Sequence, residues 1–449
     1  MLKLYNTLSQ KKEILKSREA KRINFFVCGP TVYDAAHLGH ARTYIAFDVI
    51  AKYLRQKGYD VFYLQNITDL DDKIINRAKE KGIAPQKLAR DFEKEYLKDM
   101  KTLKVDSVTK YARATDYIKE ILSQTKRLLK KGYAYQIENG VYYDISKFKN
   151  YGKLSKRTVL QAEDAVSRVD EAKEKKNKGD FCLWKISKPG EPVWLSPWGK
   201  GRPGWHIEDT AITEKFFGPQ YDIHGGGQDL IFPHHEAEIS QMEAISNKKP
   251  LVRYWLHTGF LKVNGQKMSK SLGNFITVRD FLKKYSPRIL RFLMLKNYYR
   301  SSADYTDSAV SQAERELERI DAFISRSPNS PKIKEEVGLP NIRKDFELAM
   351  DDDFNAPKAM AVIFRLIKSG RPTKETLLFL KQIDKIFNFI FWPKTKETIP
   401  DELLRLTEQR QEYRKEGNWR KADEIREEVK QMGWLIDDTK DGPKFKKIS

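Results

Sequence analysis

The chain has very little cysteine and no long apolar run. Only Cys28 and Cys182 occur among 449 residues, which excludes a disulfide framework and leaves each thiol as either a small buried hydrophobe or a metal ligand. No stretch of about 18 apolar residues is present to span a membrane, and the N-terminus lacks the basic-then-apolar pattern of a signal peptide. We therefore expect a cytoplasmic protein with no membrane partner.

Acidic residues are outnumbered by basic ones. The 84 Lys and Arg residues exceed the 62 Asp and Glu residues, giving a net charge of +22 and a pI near 9.5. Such an excess favours a polyanionic partner, although a proteome that is lysine-rich throughout would produce the same balance. Because the basic residues are spread along the chain, contacts with a phosphate backbone over a large surface are favoured over one compact patch.

The first hundred residues alternate between apolar strands and amphipathic helices. Ile23–Cys28 predicts a buried strand that ends at Gly29, and residues 41–57 predict a helix. Residues 60–65 and 71–81 repeat the pair, which indicates a Rossmann-like, doubly wound parallel sheet with ligands beyond the carboxyl ends of its strands. The polar residues that fall at those ends are Cys28, His37, His40, Thr68 and Asp69.

The rest of the chain predicts an insertion, a return to the sheet and a helical end. The sheet pattern resumes at Gly204–Thr213 and 221–224, a helix follows through 235–244, and helices dominate from about residue 308. The predicted fold class is α/β, with a helical bundle and a small α+β region after the sheet. The predicted domains are 1–115 and 201–307 for the two halves of the catalytic domain, 116–200 for the connective insertion, 308–395 for the helical bundle and 396–449 for the C-terminal region.

The sequence His37-Leu-Gly39-His40 follows the first strand and opens the first helix. Glycine allows a close approach of the backbone to phosphate, and the helix directs its positive N-terminus at the same anion. The two histidines can donate hydrogen bonds to charge that develops on phosphorus. Alone, the motif is shared with other nucleotidyl transferases, and it predicts an ATP site formed by His37, Gly39 and His40.

A second motif, Lys267-Met-Ser-Lys270-Ser271, lies a domain's length further along the chain. Two ammonium groups on a loop can close over a triphosphate, whereas a lysine-rich loop by itself is usually only a solvated turn. In this order and at this separation, the two motifs resemble the signature pair of class I aminoacyl-tRNA synthetases. The resemblance implies catalytic roles for His37, His40, Lys267 and Lys270, with Lys270 also contacting ATP.

Further motifs resemble the cysteinyl-tRNA synthetase family over essentially the whole chain. They are Cys28-Gly-Pro-Thr-Val-Tyr-Asp, Gly204-Trp205-His-Ile-Glu208, Phe232-Pro-His-His-Glu-Ala-Glu238, Ala349-Met-Asp-Asp-Asp-Phe-Asn355 and Arg420-Lys-Ala-Asp-Glu-Ile-Arg426. The resemblance implies activation of L-cysteine with ATP and Mg²⁺, followed by transfer of the cysteinyl group to tRNA(Cys). It also implies that Thr68 and Trp205 shape the amino-acid pocket, although core packing is an equally good interpretation of Trp205.

The family resemblance implies a zinc ion that selects the substrate thiol. Cys28, His234 and Glu238 match three of the family's four ligands, but Asp209 stands where the family has cysteine. An aspartate oxygen binds zinc and carries the same charge as a thiolate, so we expect one zinc per chain held by Cys28, Asp209, His234 and Glu238. The competing hypothesis is a metal-free site with a changed choice of amino acid.

The C-terminal helices are expected to bind the tRNA anticodon through Arg414, Lys415, Arg420, Lys421 and Trp434. A basic helical domain can contact phosphates and stack an unpaired base. Two alternatives are a ligase that transfers cysteine to a small amine and an inactive RNA-binding paralogue. We expect a monomer.

Overall fold

The computed structural model describes residues 1–157, 174–269, 272–326, 338–368, 372–392, 400–439 and 442–447. The chain forms two compact units, Met1–Phe391 and Trp392–Ser449. The finer predicted division into five segments stays a prediction. Within the described ranges, no helix combines the length and the apolarity that crossing a membrane requires.

Strands and helices alternate through the first unit, and helices dominate its end. In chain order the strands are β1 (Lys3–Asn6), β2 (Lys11–Ile14), β3 (Arg22–Val27), β4 (Asp60–Ile67), β5 (Lys110–Arg113), β6 (Ala134–Ile137), β7 (Gly140–Tyr143), β8 (Phe181–Ile186), β9 (Gly201–Pro203), β10 (Tyr221–Gly227), β11 (Val252–Thr258), β12 (Leu261–Val263), β13 (Gln266–Lys267), β14 (Ala303–Tyr305), β15 (Trp434–Thr439) and β16 (Gly442–Lys447). The helices are α1 (Leu38–Gln56), α2 (Asp72–Glu80), α3 (Pro85–Thr102), α4 (Ile118–Lys130), α5 (Trp205–Phe217), α6 (Glu236–Ser246), α7 (Val278–Lys284), α8 (Pro287–Leu295), α9 (Asp307–Ile324), α10 (Leu339–Asp351), α11 (Ala356–Lys368), α12 (Lys374–Phe387), α13 (Asp401–Lys415) and α14 (Trp419–Gln431).

A five-stranded parallel sheet forms the centre of the first unit. Its strands lie in the order β11-β10-β3-β4-β5, and every neighbouring pair is parallel. From β3 the chain proceeds to β4 and β5 on one side, and it returns later to place β10 and β11 on the other. The strand order therefore reverses between β3 and β10, the position at which open parallel sheets bind their ligands. The predicted α/β fold is confirmed.

Strand β3 shows why the sheet has a hydrophobic layer on each face. Phe25 packs into a large cluster that includes residues of α1, α3 and α8, whereas Phe26 and Cys28 pack into a second cluster with residues of α5 and α6. Alternate side chains of a strand point to opposite faces. Phe25 and Phe26 are fully buried, and burial of each contributes about 1.5–3 kcal/mol.

Helix α5 corrects one prediction from the sequence. Residues 204–213 were expected to continue the sheet, but they form the start of this helix. Every residue from His206 to Thr213 is buried, so the helix has no polar face and its sequence lacks the 3.6-residue alternation that identifies an amphipathic helix. The correction matters because α5 carries Trp205 and Asp209.

The residues that follow β5 form a separate antiparallel sheet of order β6-β7-β8-β9. Strands β6, β7 and β8 lie within the range 116–200 predicted for the insertion, and β9 follows directly after it. Further along, helices α9 to α12 contribute to the large cluster. Asp353 at the α10–α11 junction accepts hydrogen bonds from the Tyr5 N–H group (2.8 Å) and the Tyr299 hydroxyl (2.8 Å), which ties this helical region to β1 and the end of α8.

The second unit packs α13 and α14 against the β15–β16 hairpin. Its core contains Leu403, Val429 and Trp434, and Trp434 is only 6% exposed. The expectation that Trp434 stacks on an unpaired base is therefore wrong, because the ring is used to close this small core. Trp419 is 60% exposed, and the Arg414 guanidinium lies 5.8 Å from its ring centroid.

Candidate active site and metal centre

A cavity of about 390 Å³ lies at the carboxyl ends of β3, β4 and β10. It brings together most of the site residues predicted from the sequence. Those that line it are Cys28, His37, Gly39, His40, Thr68, Trp205, Asp209, His234 and Lys267. Glu238 lies behind the wall and is fully buried. Lys270 lies outside the described residues, so its place in the site remains a prediction.

The two histidines of the first motif lie at the N-terminus of α1. Nδ1 of His37 accepts hydrogen bonds from the N–H groups of Gly39 (3.1 Å) and His40 (3.4 Å). The two imidazole rings stack with centroids 3.8 Å apart, and a Cβ atom at position 39 would lie 2.8 Å from the His37 ring. Burial, and then the charge of His37, lower the pKa of His40 well below its usual value. The turn therefore presents a neutral His40 at the positive end of α1, where the N–H groups of Gly39 and His40 are already capped by His37, and a helix N-terminus of this kind favours phosphate.

The segment after the lysine motif is joined to this histidine turn by backbone hydrogen bonds. The N–H group of Leu38 donates to the carbonyl of Ile276 (3.1 Å), and the N–H group of Val278 donates to the carbonyl of Ala36 (2.8 Å). The Phe275 ring lies 5.2 Å from that of His37. The two motifs, remote in sequence, are therefore adjacent in the fold.

Lys267 is the described lysine of the second motif, and it lines the cavity. Its ammonium group lies 5.6 Å from the centroid of the Phe260 ring. An ammonium at this edge can compensate the charge of a triphosphate bound at the start of α1.

The predicted zinc ligands converge from the end of β3 (Cys28), from α5 (Asp209), and from α6 and the turn before it (Glu238 and His234). Cys28 Sγ lies 3.2 Å from Asp209 Oδ2, which lies 3.0 Å from His234 Nε2. Glu238 Oε1 completes the group, 3.5 Å from His234 Nε2 and 4.0 Å from Cys28 Sγ. A tetrahedral zinc with ligands at about 2.0–2.3 Å requires donor separations of roughly 3.3–3.8 Å. The four donors are therefore close to the spacing that one metal ion needs.

His234 reaches this group in a way that differs from the prediction. The spacing of four residues predicts that His234 and Glu238 share one face of a helix, but α6 begins only at Glu236. His234 belongs to the preceding turn, in which Phe232 departs from helical geometry. The turn nevertheless directs both side chains to the same point.

A second possible donor group overlaps the first. It consists of Cys28, His224, His235 and Glu238. The Nε2 atoms of His224 and His235 lie 3.2 and 3.1 Å from Cys28 Sγ. Sequence reasoning missed both histidines, although His224 lies on β10 beside the strand reversal and His235 directly follows a predicted ligand. Because the groups share two ligands, a single ion would use one group at a time.

The three imidazoles nearest Cys28 are each held through their second nitrogen. This arrangement orients the ring and is typical of metal-ligating histidine. The partners are Tyr221 Oη for His224 (2.7 Å), His257 Nε2 for His235 (2.8 Å) and His206 Nδ1 for His234 (2.8 Å). Together with His37 and His40, all seven histidines of the chain line or support this one cavity.

The donor groups carry the electrostatic signs of a cation site. Burial, and then the charges of Asp209 and Glu238, raise the pKa of the Cys28 thiol well above its usual value, and burial followed by Asp209 does the same for Glu238. Glu238 Oε2 has no hydrogen-bond partner in the part of the chain that the structure describes. A divalent cation would compensate these buried acids, and a thiolate, an imidazole and carboxylates are donors that zinc accepts. The residues present therefore fit the metal.

Burial also sets the charge of the surrounding histidines. It lowers the pKa of His224 and His235 well below the usual value, with neighbouring histidines adding to the effect. It lowers the pKa of His257 to about 3. These imidazoles are therefore neutral near pH 7, the form in which histidine binds a metal or accepts a hydrogen bond.

Thr68 and Trp205 occupy the wall between the donor group and the open cavity. The Thr68 hydroxyl donates to Glu208 Oε2 (3.0 Å). The Trp205 ring stacks on His234, with centroids 4.3 Å apart, and it remains 38% exposed. Trp205 is therefore part of the cavity wall and not of the core. Asp229, which sequence reasoning missed, adds a carboxylate to the same lining.

Cys182 lies apart from this chemistry. It is on β8, half-buried, and it belongs to neither of the donor groups found among the described residues.

Comparisons with known proteins agree with the fold and with both sequence motifs. The family described as tRNA synthetases class I (C) catalytic domain matches residues 14–315, and the DALR domain matches residues 345–386. In solved structures, the chain resembles Mycobacterium tuberculosis methionyl-tRNA synthetase in complex with methionyl-adenylate, with a TM-score of 0.59 and 15% identity over 82% of this chain and 88% of that one. These findings define the class, a class I aminoacyl-tRNA synthetase.

Two curated relatives are similar over their full length. The cysteine–tRNA ligase of Thermococcus gammatolerans is 45% identical over 100% of this chain and 99% of its own. That of Thermoplasma acidophilum is 46% identical over 98% and 99%, respectively. The chain therefore belongs to the cysteine–tRNA ligase family.

Proposed function

We propose that this protein activates L-cysteine with ATP and transfers the cysteinyl group to the 3′ end of tRNA(Cys). The observation that carries the proposal is that one cavity is lined by the His37–His40 turn and by Cys28, Asp209 and His234, with Glu238 of the same donor group buried behind its wall. The first suits a nucleotide phosphate and the second suits a thiol-selecting metal. Family membership supports the same pairing.

In the first step, the cysteine carboxylate attacks the α-phosphorus of ATP, and pyrophosphate leaves. His37 and His40 stabilise the charge on the phosphoryl oxygens, while the positive N-terminus of α1 favours the phosphates and Gly39 allows their close approach to the backbone. Lys267 and Lys270 close over the phosphates. ATP arrives with Mg²⁺, which neutralises part of the phosphate charge.

The amino acid is held against the opposite wall. We infer that Cys28, Asp209, His234 and Glu238 hold one zinc, which when bound supplies a Lewis acid that binds a thiolate far better than an alcohol. Serine is a near-isostere of cysteine that shape alone rejects poorly. Thr68 and Trp205 confine the substrate, and the Asp229 carboxylate is suited to pair with its ammonium group.

In the second step, a hydroxyl of the terminal adenosine of tRNA attacks the activated carbonyl, and AMP leaves. The C-terminal unit is proposed to bind the anticodon, with exposed Trp419 and the nearby Arg414 as candidates for base stacking. Arg414 also pairs with Asp438 at 2.6 Å, so this charge is only partly available to phosphate. Transfer to a small amine is not favoured, because the relatives named as cysteine–tRNA ligases and the DALR match extend through the helical half.

The test is amino-acid-dependent ATP–pyrophosphate exchange with cysteine and serine, combined with metal analysis of the purified protein. The proposal expects exchange with cysteine, little with serine, and one zinc per chain. Exchange without zinc, or efficient exchange with serine, would contradict the metal-based selection. An absence of exchange with any amino acid would instead favour an inactive paralogue.

Charging of tRNA(Cys) measures the second step separately. We also propose that the protein is a monomer in the cytoplasm. Sedimentation of the protein with and without tRNA measures its oligomeric state.

A further inference from the structure

The two carboxylate oxygens of Asp209 face different surroundings. Oδ2 faces the donor group, 3.2 Å from Cys28 Sγ and 3.0 Å from His234 Nε2. Oδ1 points away from these atoms and accepts a hydrogen bond from Nδ2 of Asn66 at 2.6 Å. Both residues are buried, Asp209 at 1% and Asn66 at 2% exposure. One oxygen of the carboxylate therefore faces the metal position, and the other faces the Asn66 amide.

The orientation of the Asn66 amide follows from its other contacts. Its Oδ1 accepts a hydrogen bond from the N–H group of Gly29, the residue after Cys28. An N–H group can only be met by the amide oxygen, so the NH₂ group must face Asp209. Any side chain at position 29 would place its Cβ atom 1.6 Å from the Asn66 backbone carbonyl oxygen, so this close approach of the two segments requires glycine. The end of β4 thus presents a fixed donor to position 209.

A fixed hydrogen-bond donor facing position 209 suits an aspartate there far better than a cysteine. A thiolate binds a metal through a single atom, whereas a carboxylate has two oxygens and binds through one or both. A bidentate aspartate would raise the number of ligands above the four of a tetrahedral site. Holding Oδ1 in a strong hydrogen bond leaves only Oδ2 for the metal, and outer partners of this kind set ligand geometry.

We propose that Asn66 is a positioning residue that makes Asp209 a one-oxygen metal ligand, so that aspartate takes the place of a single thiolate at this position. The inference rests on the proposed zinc centre and deepens it. Asn66 acts on the metal through Asp209, the carboxylate to which it donates a hydrogen bond. Its contribution therefore depends on which residue occupies position 209.

A double-mutant cycle on zinc affinity tests this dependence. The four proteins are the natural chain, Asn66→Ala, Asp209→Cys and the double variant, each titrated with zinc against a chromophoric chelator. We expect Asn66→Ala to weaken zinc binding about 10–100-fold in the natural chain, the range for loss of an outer partner. In the Asp209→Cys background, Asn66→Ala should weaken zinc binding by less than about twofold. Deviations of this size are typical of two sites that do not interact.

Equal losses in the two backgrounds would overturn the proposal, because Asn66 would then act through Gly29 or through packing alone. If the natural chain binds no zinc, the proposed metal centre itself fails, and the inference fails with it. Asn24→Ala is the matched control, because Asn24 is a buried asparagine (8% exposed) on the neighbouring strand β3, and this change should leave zinc affinity unchanged.

X-ray absorption of the zinc-loaded proteins gives a second measurement that does not depend on activity. The natural chain should show one sulfur at about 2.3 Å and three nitrogen or oxygen atoms at about 2.0–2.2 Å. In Asn66→Ala, we expect an added or lengthened oxygen ligand. If Asn66→Ala does not fold, Asn66→Asp serves instead, because it keeps the acceptor for Gly29 and removes the donor to Asp209. An unchanged metal shell in a folded variant would contradict the proposal.

Discussion

The two sides of the cavity are built in opposite ways. The phosphate side (His37, Gly39, His40 and Lys267) consists of two short motifs, one of which is a helix start whose polar groups hydrogen-bond to one another. The donor side (Cys28, Asp209, His234 and Glu238) brings together single residues from three elements, and its acids are buried against one another. The geometry of the phosphate side depends mainly on one local turn. The geometry of the donor side depends on assembly of the whole sheet, and its buried acids require a cation for stability. We therefore expect the two sides to respond separately to mutation.

The largest effect is expected from substitution of Cys28, a donor that both overlapping groups share. Cys28→Ala should remove bound zinc and lower cysteine-dependent pyrophosphate exchange by more than about 1,000-fold, beyond the 10–100-fold typical of supporting residues. Cys182→Ala is the matched control, since this thiol is remote from the donors, and it should retain both zinc and exchange. Retention of zinc in Cys28→Ala would contradict the assignment of the donor side.

On the phosphate side, His40→Ala should separate catalysis from metal binding. We expect exchange to fall about 100-fold, since a positioned donor to the developing charge is lost, while the zinc content stays at the natural level. Metal analysis and exchange kinetics on the same preparation measure both quantities. A simultaneous loss of zinc would mean that the two sides are not separable.

Substitution of single histidines distinguishes the two donor groups. His234→Gln should weaken zinc binding about 100-fold if the ion lies with Asp209, whereas His224→Gln should weaken it about tenfold or less, as expected of a supporting residue. Chelator competition measures both affinities. The opposite order would place the metal with His224 and His235.

The smallest effect concerns the stability of the metal-free protein against pH. Burial lowers the pKa of His257 to about 3, so between about pH 6.5 and pH 3 the unfolded chain binds a proton at this residue that the folded chain does not. The stability contributed by this neutral imidazole is thus present above pH 6.5 and is lost as pH falls, by about 1.4 kcal/mol per pH unit. Urea unfolding at several pH values should show a slope that His257→Gln reduces by that amount. An unchanged slope would mean that His257 titrates normally.

The phosphate side could be predicted from the sequence because its function depends on local spacing. The His37–His40 turn sits at a helix start in both the prediction and the structure. Asp209, His234 and Glu238 were found only through the family resemblance, since neither hydrophobic period nor spacing links residues on different elements, whereas Cys28 was also placed at the site by its position after β3. His224, His235 and Asn66 were missed for the same reason: they lie on β10, in the turn before α6 and on β4, and the packing of the sheet sets their neighbours.

The remaining differences between the prediction and the structure arise from burial. Helix α5 was not recognised because its buried residues surround it on all sides, and Trp434 was assigned to base stacking because of the basic character of the C-terminal helices. In both cases, the local sequence does not reveal which residues of other elements cover it. The buried or exposed state of a tryptophan such as Trp205 could be decided only in the folded chain.

The alternating burial of β3 has a consequence for how this chain can evolve. Phe25 faces one hydrophobic cluster, while Phe26 and Cys28 face the other. Inserting or deleting one residue in this strand would exchange the two faces, turning the Cys28 thiol away from its partners and each phenylalanine into the wrong layer. The residues of β3 can therefore vary in identity far more readily than in number, and natural length variants should be found in the connecting loops and not in this strand.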